Sequence, residues 1–191
     1  FVWIVYLFLL SVCSGRCEGS ERVDRGKIVC GSAMFPHPFK KKTGGEDARF
    51  IMDDAIGVFD GVGGWIRQGV DPRFYSRYLA EKSMQLILQN GMQFVQEALE
   101  HAVGTNPHPG SSTALIVWVD HNVDEHSKVL NYLNVGDGGL IVGRDTDVLF
   151  RSSPQLHSFN FPYQLGWTSP TLVKDAQRGS IHVEEGDWFL A

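Results

Sequence analysis

Carboxylates gather at two places in the first third of the chain: at Glu46-Asp47, behind a pair of glycines, and at Asp60, which opens the run Asp60-Gly61-Val62-Gly63-Gly64-Trp65. Between them lie two short apolar runs, Phe50-Ile51-Met52 and Ala55 to Phe59, separated by Asp53-Asp54. Two such runs flanking a polar pair read as two strands and their turn. A two-residue loop at Asp53-Asp54 pairs Met52 with Ala55. Carried outward, it sets Asp47 opposite Asp60 and Glu46 opposite Gly61. Asp-Asp fits a tight turn less well than Asn-Gly, which leaves open a slip of one residue that sets Glu46 opposite Asp60. In either register carboxylates face each other with Cβ atoms about 4.5–5.5 Å apart, where like charges destabilise a sheet. A bound divalent cation reverses that sign. Oxygen donors with no Cys or His nearby suit Mg2+ or Mn2+ rather than Zn2+. Gly61, Gly63 and Gly64 admit positive φ and close backbone approach, which would turn the Gly61 carbonyl toward an ion.

The elements that must hold this hairpin are legible in outline. Lys27 to Phe35 reads as a first strand. Asp71-Pro72 marks a helix start, with Asp as N-cap and Pro at the first helical position. The row Leu79, Ser83 and Ile87 keeps helical spacing to about Asn90-Gly91. A second helix is expected from about Met92 to Val103. Ala114 to Val119 is continuously apolar, the pattern of a strand buried on both faces. Lys128 to Val135 follows as its partner, across a polar loop containing His121, Asn122 and Asp124. Val148-Leu149-Phe150 and Asp187 to Ala191 add further strand patterns. Ser111-Ser112-Thr113 lacks a Gly-x-Ser-x-Gly elbow and an adjacent base, so it reads as a strand opening rather than a nucleophile. With antiparallel strands and two early helices, these elements indicate an α+β layered domain.

Four segments in order carry a resemblance: Gly44-Gly45-Glu46-Asp47-Ala48, Gly57 to Trp65, Gly110-Ser111-Ser112-Thr113-Ala114, and Asn134-Val135-Gly136-Asp137-Gly138-Gly139. Together they resemble the metal-dependent PPM-type (type 2C) protein serine/threonine phosphatases. Gly31 to Trp65 and Phe161-Pro162-Tyr163-Gln164-Leu165 are most similar to the small mitochondrial and plastid branch. The resemblance implies a four-layer α/β/β/α sandwich of two antiparallel sheets and a binuclear Mn2+ or Mg2+ centre at one end. It implies that Asp60 bridges both metals, that Gly61 ligates through its carbonyl, and that Glu46 binds the second metal directly or through water with Asp47 beside it. Asp137 matches the acidic residue of a third, weaker metal site. The implied reaction is hydrolysis of phosphoserine and phosphothreonine esters on phosphorylated protein substrates by a metal-activated water, with no covalent phosphoenzyme.

The chain departs from that pattern in four ways. Val62 stands where many members carry a His that protonates the leaving group. No Arg precedes Glu46-Asp47 to clamp the substrate phosphate, and Lys42, in the run Lys40-Lys41-Lys42, is the candidate stand-in as a point charge. Gly138 stands where Ser is usual. The sequence also stops before the Thr-Asp-Gly and Asp-Asn elements that supply the remaining carboxylates. It therefore reads as a C-terminally truncated fragment, inactive as written. Two other functional classes stay open: a catalytically dead phosphatase-like binding or regulatory module, and a non-enzymatic domain with a structural cation site.

At 191 residues and 43% hydrophobic the chain suits one globular unit. Its net charge of −5 argues against nucleic acid as a partner, since only Lys40 to Lys42 forms a basic cluster. Cys13, Cys17 and Cys30 are too few for a disulfide framework. Residues 1–25 read as an apolar N-terminal segment and linker, and residues 26–191 as a partial phosphatase domain. The run over residues 1–13 is shorter than the roughly 20 residues of a membrane span but fits a signal-peptide core or a cut anchor, so membrane contact there is one expectation. The family resemblance points instead to a mitochondrion or plastid.

Overall fold

The computed structural model describes residues 6–11, 27–33, 38–40, 44–120 and 128–191. Lys42, the 14–26 linker, Cys13, Cys17 and the loop at 121–124 lie outside the described residues.

One five-stranded antiparallel sheet runs in the order β13-β7-β6-β4-β3. Its members are β3 (Ala48–Ile51), β4 (Ala55–Phe59), β6 (Ala114–Asp120), β7 (Lys128–Val135) and β13 (Gln177–Val183). A second antiparallel sheet runs β2-β1-β14-β8-β9. It consists of β1 (Tyr6–Ser11), β2 (Lys27–Ser32), β8 (Ile141–Arg144), β9 (Asp147–Arg151) and β14 (Trp188–Leu190). Four shorter strands, β5 (Ser111–Ser112), β10 (Leu156–Ser158), β11 (Phe161–Pro162) and β12 (Leu165–Gly166), pair as β5 with β12 and β10 with β11. The helices are α1 (Arg73–Asn90) and α2 (Val95–Gly104).

Alternation along β6 decides the layering. Ala114 and Ile116 join Tyr75, Leu79, Ile87 and Leu99 beneath the two helices. Leu115, Val117 and Val119 join Leu130, Val142 and Phe189 between the sheets. A strand covered on both faces has no solvent side, which is why its sequence is apolar without interruption. The described residues thus form helices on sheet on sheet, the α+β sandwich expected, and α1 and α2 both cover the first sheet. Each large side chain buried in these two layers contributes about 1.5–3 kcal/mol.

Several boundaries moved. Pro72 takes the N-cap position of α1, with Arg73 the first helical residue. Asp71 still satisfies an orphan donor, because its Oδ1 accepts the Arg73 N–H at 3.1 Å. The expected start of the second helix at Met92 is a 3₁₀ turn, Met92–Phe94, and α2 begins at Val95. The first expected strand ends at Ser32 rather than Phe35. Part of the apolar N-terminal run, Tyr6–Ser11, is a strand between β2 and β14. Among the described residues no helix is long and apolar enough to cross a membrane.

The two sheets are also fastened at the end of β8. Arg144 donates from Nε to Asp187 Oδ1 at 2.8 Å and from Nη2 to Oδ2 at 3.0 Å, while the same carboxylate accepts the Glu184 N–H at 2.8 Å. Asp187 is 1% exposed, so three donors replace the water it lost.

Candidate metal centre

The β3–β4 hairpin adopts the first of the two registers. Met52 N–H donates to the Ala55 carbonyl at 2.8 Å, closing a two-residue loop at Asp53-Asp54, and Ala48 pairs with Phe59. One step outward Asp47 stands opposite Asp60, and one step further Glu46 stands opposite Gly61. Phe50 and Phe59 pack with ring centroids 6.0 Å apart just inside this end. Glu46 and Asp47 are 6% and 7% exposed. Gly61 is required by proximity: a Cβ there would lie 2.3 Å from the Glu46 carbonyl oxygen. Positive φ is not the reason, since Gly61, Gly63 and Gly64 all lack it, whereas Gly44 and Gly45 adopt φ of +81° and +82° and turn the chain into Glu46.

Backbone clamps fix the two acidic segments. The Asp60 N–H donates to Thr113 Oγ1 at 3.2 Å, and the Asp60 carbonyl accepts the Thr113 N–H at 3.0 Å. Ser112 Oγ lies 2.9 Å from the same carbonyl, Gly61 bridges to Ser112, and Val62 N–H donates to the Ser111 carbonyl at 3.0 Å. From the helix layer, Ser76 Oγ donates to the Glu46 carbonyl at 2.5 Å. Ser112 ends β5 and Thr113 joins it to β6, in keeping with the expected strand opening, and both also position Asp60, a role that sequence reasoning missed. No local pattern announces a partner 52 or 53 positions away.

The electrostatics follow from crowding. The Asp60 carboxyl is pushed up to about 7, first by loss of solvation, then by the charge of Asp47 and a hydrogen bond with it, and then by Asp137 and Glu46. The residue keeps a solvent-facing edge, so the protein packed around the carboxyl, not full enclosure, desolvates it. Asp47 is also raised, chiefly by desolvation and then by Glu46, against the opposing pull of the hydrogen bond with Asp60, of Lys40 and of the Gly61 N–H. Both carboxyls are therefore held above the ordinary carboxylate range, because opposed carboxylates resist ionising together without a cation.

One cation is already present in the chain: Lys40 Nζ lies 2.5 Å from Glu46 Oε1. Among the described residues no three His, Cys, Asp or Glu side chains converge closely enough to hold an ion as they stand. Glu46 is engaged with the Lys40 ammonium, and Asp47 and Asp60 are engaged with each other.

Over 170 residues the chain is 39% identical to the probable protein phosphatase 2C 55 of Arabidopsis thaliana, a match covering 86% of this chain and 35% of that protein. It is likewise 39% identical over 171 residues to the probable protein phosphatase 2C 80 of Arabidopsis thaliana, covering 86% and 40%. The X-ray structure of the photosystem II phosphatase PBCP shares the fold with a TM-score of 0.74 at 33% identity, over 81% of this chain and 61% of that one. The chain belongs to the type 2C, or PPM-type, protein phosphatases. No family model matches it. The chain spans 35% to 40% of the length of these two curated relatives.

Within this type 2C phosphatase fold, Glu46, Asp47, Asp60 and Gly61 come together at one end of a single hairpin. Asp137, in the turn after β7, is exposed but near enough for its charge to raise Asp60. Lys42 lies outside the described residues; among those described, Lys40 of the same basic run reaches the cluster. The donor set is all oxygen, it is crowded enough to retain a proton, and it already draws an ammonium. Those properties fit hard divalent cations.

Proposed function

We propose that the protein is a metal-dependent phosphatase of phosphoserine and phosphothreonine in protein substrates, with Mn2+ or Mg2+ held by Asp60, the Gly61 carbonyl, Glu46 and Asp47, and a weaker site at Asp137. The observation that carries this reading is the opposition of Asp47 and Asp60 at a pair position where two carboxylates must share a proton or a cation. Divalent ions bound there would lower the pKa of a water and neutralise phosphoryl charge. The chain's own residues do the rest. Thr113 and Ser112 hold Asp60 from both sides, Ser76 holds Glu46, and Lys40, released from Glu46, supplies positive charge beside the substrate phosphate as a point charge. Val62 offers no proton, so the leaving group takes its proton from solvent.

The test is hydrolysis of a phosphothreonine peptide by the full-length protein with added Mn2+. Turnover that needs Mn2+ and disappears in Asp60→Asn supports the reading, and near-normal turnover in that variant removes Asp60 from the chemistry. One observation favours a second reading, a phosphatase-like module that binds phosphoproteins without cleaving them: Lys40 already occupies Glu46 at 2.5 Å. Phosphopeptide binding that EDTA leaves untouched, with no turnover, would select it.

A further inference from the structure

Beside the acidic hairpin lies a cavity of about 350 Å³ with aromatic walls, formed by Trp65, His157, Phe161 and Trp167, over a polar floor that includes Ser111 and Gln164. We infer that this cavity is a subsite for an aromatic side chain of the peptide substrate, flanking the phosphorylated residue. The inference rests on the phosphatase reading above and names the substrate feature that the same site selects.

Continuity with the hairpin identifies the occupant. Ser111 is the neighbour of Ser112, whose hydroxyl lies at the Asp60 carbonyl, and Trp65 closes the glycine run that Asp60 opens. Successive residues of a strand advance about 3.3 Å. The floor of the cavity is thus one residue from the Asp60 clamp, and an extended peptide with its phosphate at the carboxylates carries a nearby side chain over the cavity.

The lining sets the chemistry. Trp65 Nε1 donates to Ser111 Oγ at 2.7 Å, and Ser111 Oγ donates to Gln164 Oε1 at 2.5 Å, so these polar atoms satisfy one another and hold the floor rigid. Gln164 Nε2 has only a long 3.5 Å contact with the Pro162 carbonyl, which leaves donor capacity for a carbonyl of the bound peptide. His157 stacks on Tyr163 at 4.2 Å and lies 5.1 Å from Phe161, so its ring is braced. Trp167 and Phe161 are 51% and 50% exposed, a large apolar area for water to cover. Rings in this arrangement favour another aromatic ring in edge-to-face or offset contact. Thr168, at the rim, holds φ of +61°, a costly conformation for a β-branched residue and one that recurs at ligand clamps.

The experiment measures binding, by fluorescence anisotropy with Mn2+ present, of two phosphothreonine peptide sets that differ only in carrying Phe or Ala within three residues of the phosphothreonine. The Phe set should bind wild-type protein about tenfold more tightly, a typical gain from burying one aromatic anchor. Trp167→Ala and, independently, Phe161→Ala should erase the difference while leaving the Ala peptides unchanged. Phe159→Ala, which removes a 94% exposed ring outside the cavity lining, should preserve it. Equal binding of both sets by wild type, or a preference that survives both cavity variants, overturns the inference. Self-association of wild type that Trp167→Ala abolishes, without any peptide preference, assigns the cavity to a second copy and overturns it too. Hydrolysis of p-nitrophenyl phosphate by the full-length protein, a substrate with no peptide to occupy the cavity, is followed in parallel. A Phe preference without any Mn2+-dependent hydrolysis of that ester sinks the phosphatase reading and leaves the subsite standing.

Discussion

Asp60 and Asp47 face each other one pair beyond the Ala48–Phe59 rung, and the crowding there raises both carboxyls above their ordinary range. That relationship makes the cation-free protein sensitive to pH. Asp60 rises from its ordinary 3.8 to about 7 on folding, so between those values the folded state binds more protons than the unfolded chain. Stability contributed by this group is therefore full below about pH 4 and is lost as pH rises through about 7. Urea unfolding in EDTA should show a lower midpoint at about pH 8 than at about pH 6, and Mn2+ should close the gap. Equal midpoints in EDTA would show that the pair does not share a proton.

Gly61→Ala should loosen the hairpin end. The new methyl meets the Glu46 carbonyl oxygen at 2.3 Å, a backbone atom that cannot swing aside, so the two segments must part. The expected cost is about 1–3 kcal/mol in urea unfolding, with weaker Mn2+ binding. Wild-type stability and affinity would mean that the close approach is not needed.

Thr113→Val keeps shape but removes the acceptor for the Asp60 N–H. Leaving that donor unpaired should cost about 1–3 kcal/mol and weaken Mn2+ binding, and Thr113→Ser should restore both. Failure of Ser to rescue would place the effect in packing rather than in the hydrogen bond.

Asp187→Asn, at the far fastening of the second sheet, should separate stability from metal binding. Burial opposes ionisation of Asp187, but the Arg144 guanidinium and the Glu184 N–H together outweigh it and hold the carboxyl below its usual range. Its contribution is present above the ordinary carboxylate range and is lost as acid protonates it. Arg144 is partly exposed, which screens the pair, so the expected loss is about 1–3 kcal/mol near neutral pH, shrinking in acid. Mn2+ affinity should not change. A matching loss of Mn2+ affinity would show that the two ends of the sandwich are coupled.

The hairpin and its register were legible because everything they need is local: two apolar runs, a two-residue turn, and acids at equal distances from it. β6 was legible for a similar reason, since a doubly covered strand is apolar almost from end to end. What escaped the sequence is built at long range. Ser112 and Thr113 act on a residue more than fifty positions away, and nothing in the spacing of the basic run announces the Lys40–Glu46 contact. Two walls of the aromatic cavity, His157 and Phe161, come from strands of two or three residues, too short for any periodicity to register, and Trp65 joins them from about ninety positions away. The start of α1 shifted by one because Asp71 reaches the Arg73 N–H from just outside the helix, a geometry that spacing alone does not separate from an N-cap.

The central claim is that the opposed carboxylates of one hairpin bind divalent cations. Calorimetric titration of Mn2+ into the wild-type protein and into Asp60→Asn at about pH 7.5 tests it most directly. The account predicts saturable binding by wild type and at least a tenfold loss of affinity in the variant, about 1.4 kcal/mol or more. No binding by wild type, or equal binding by both proteins, contradicts it.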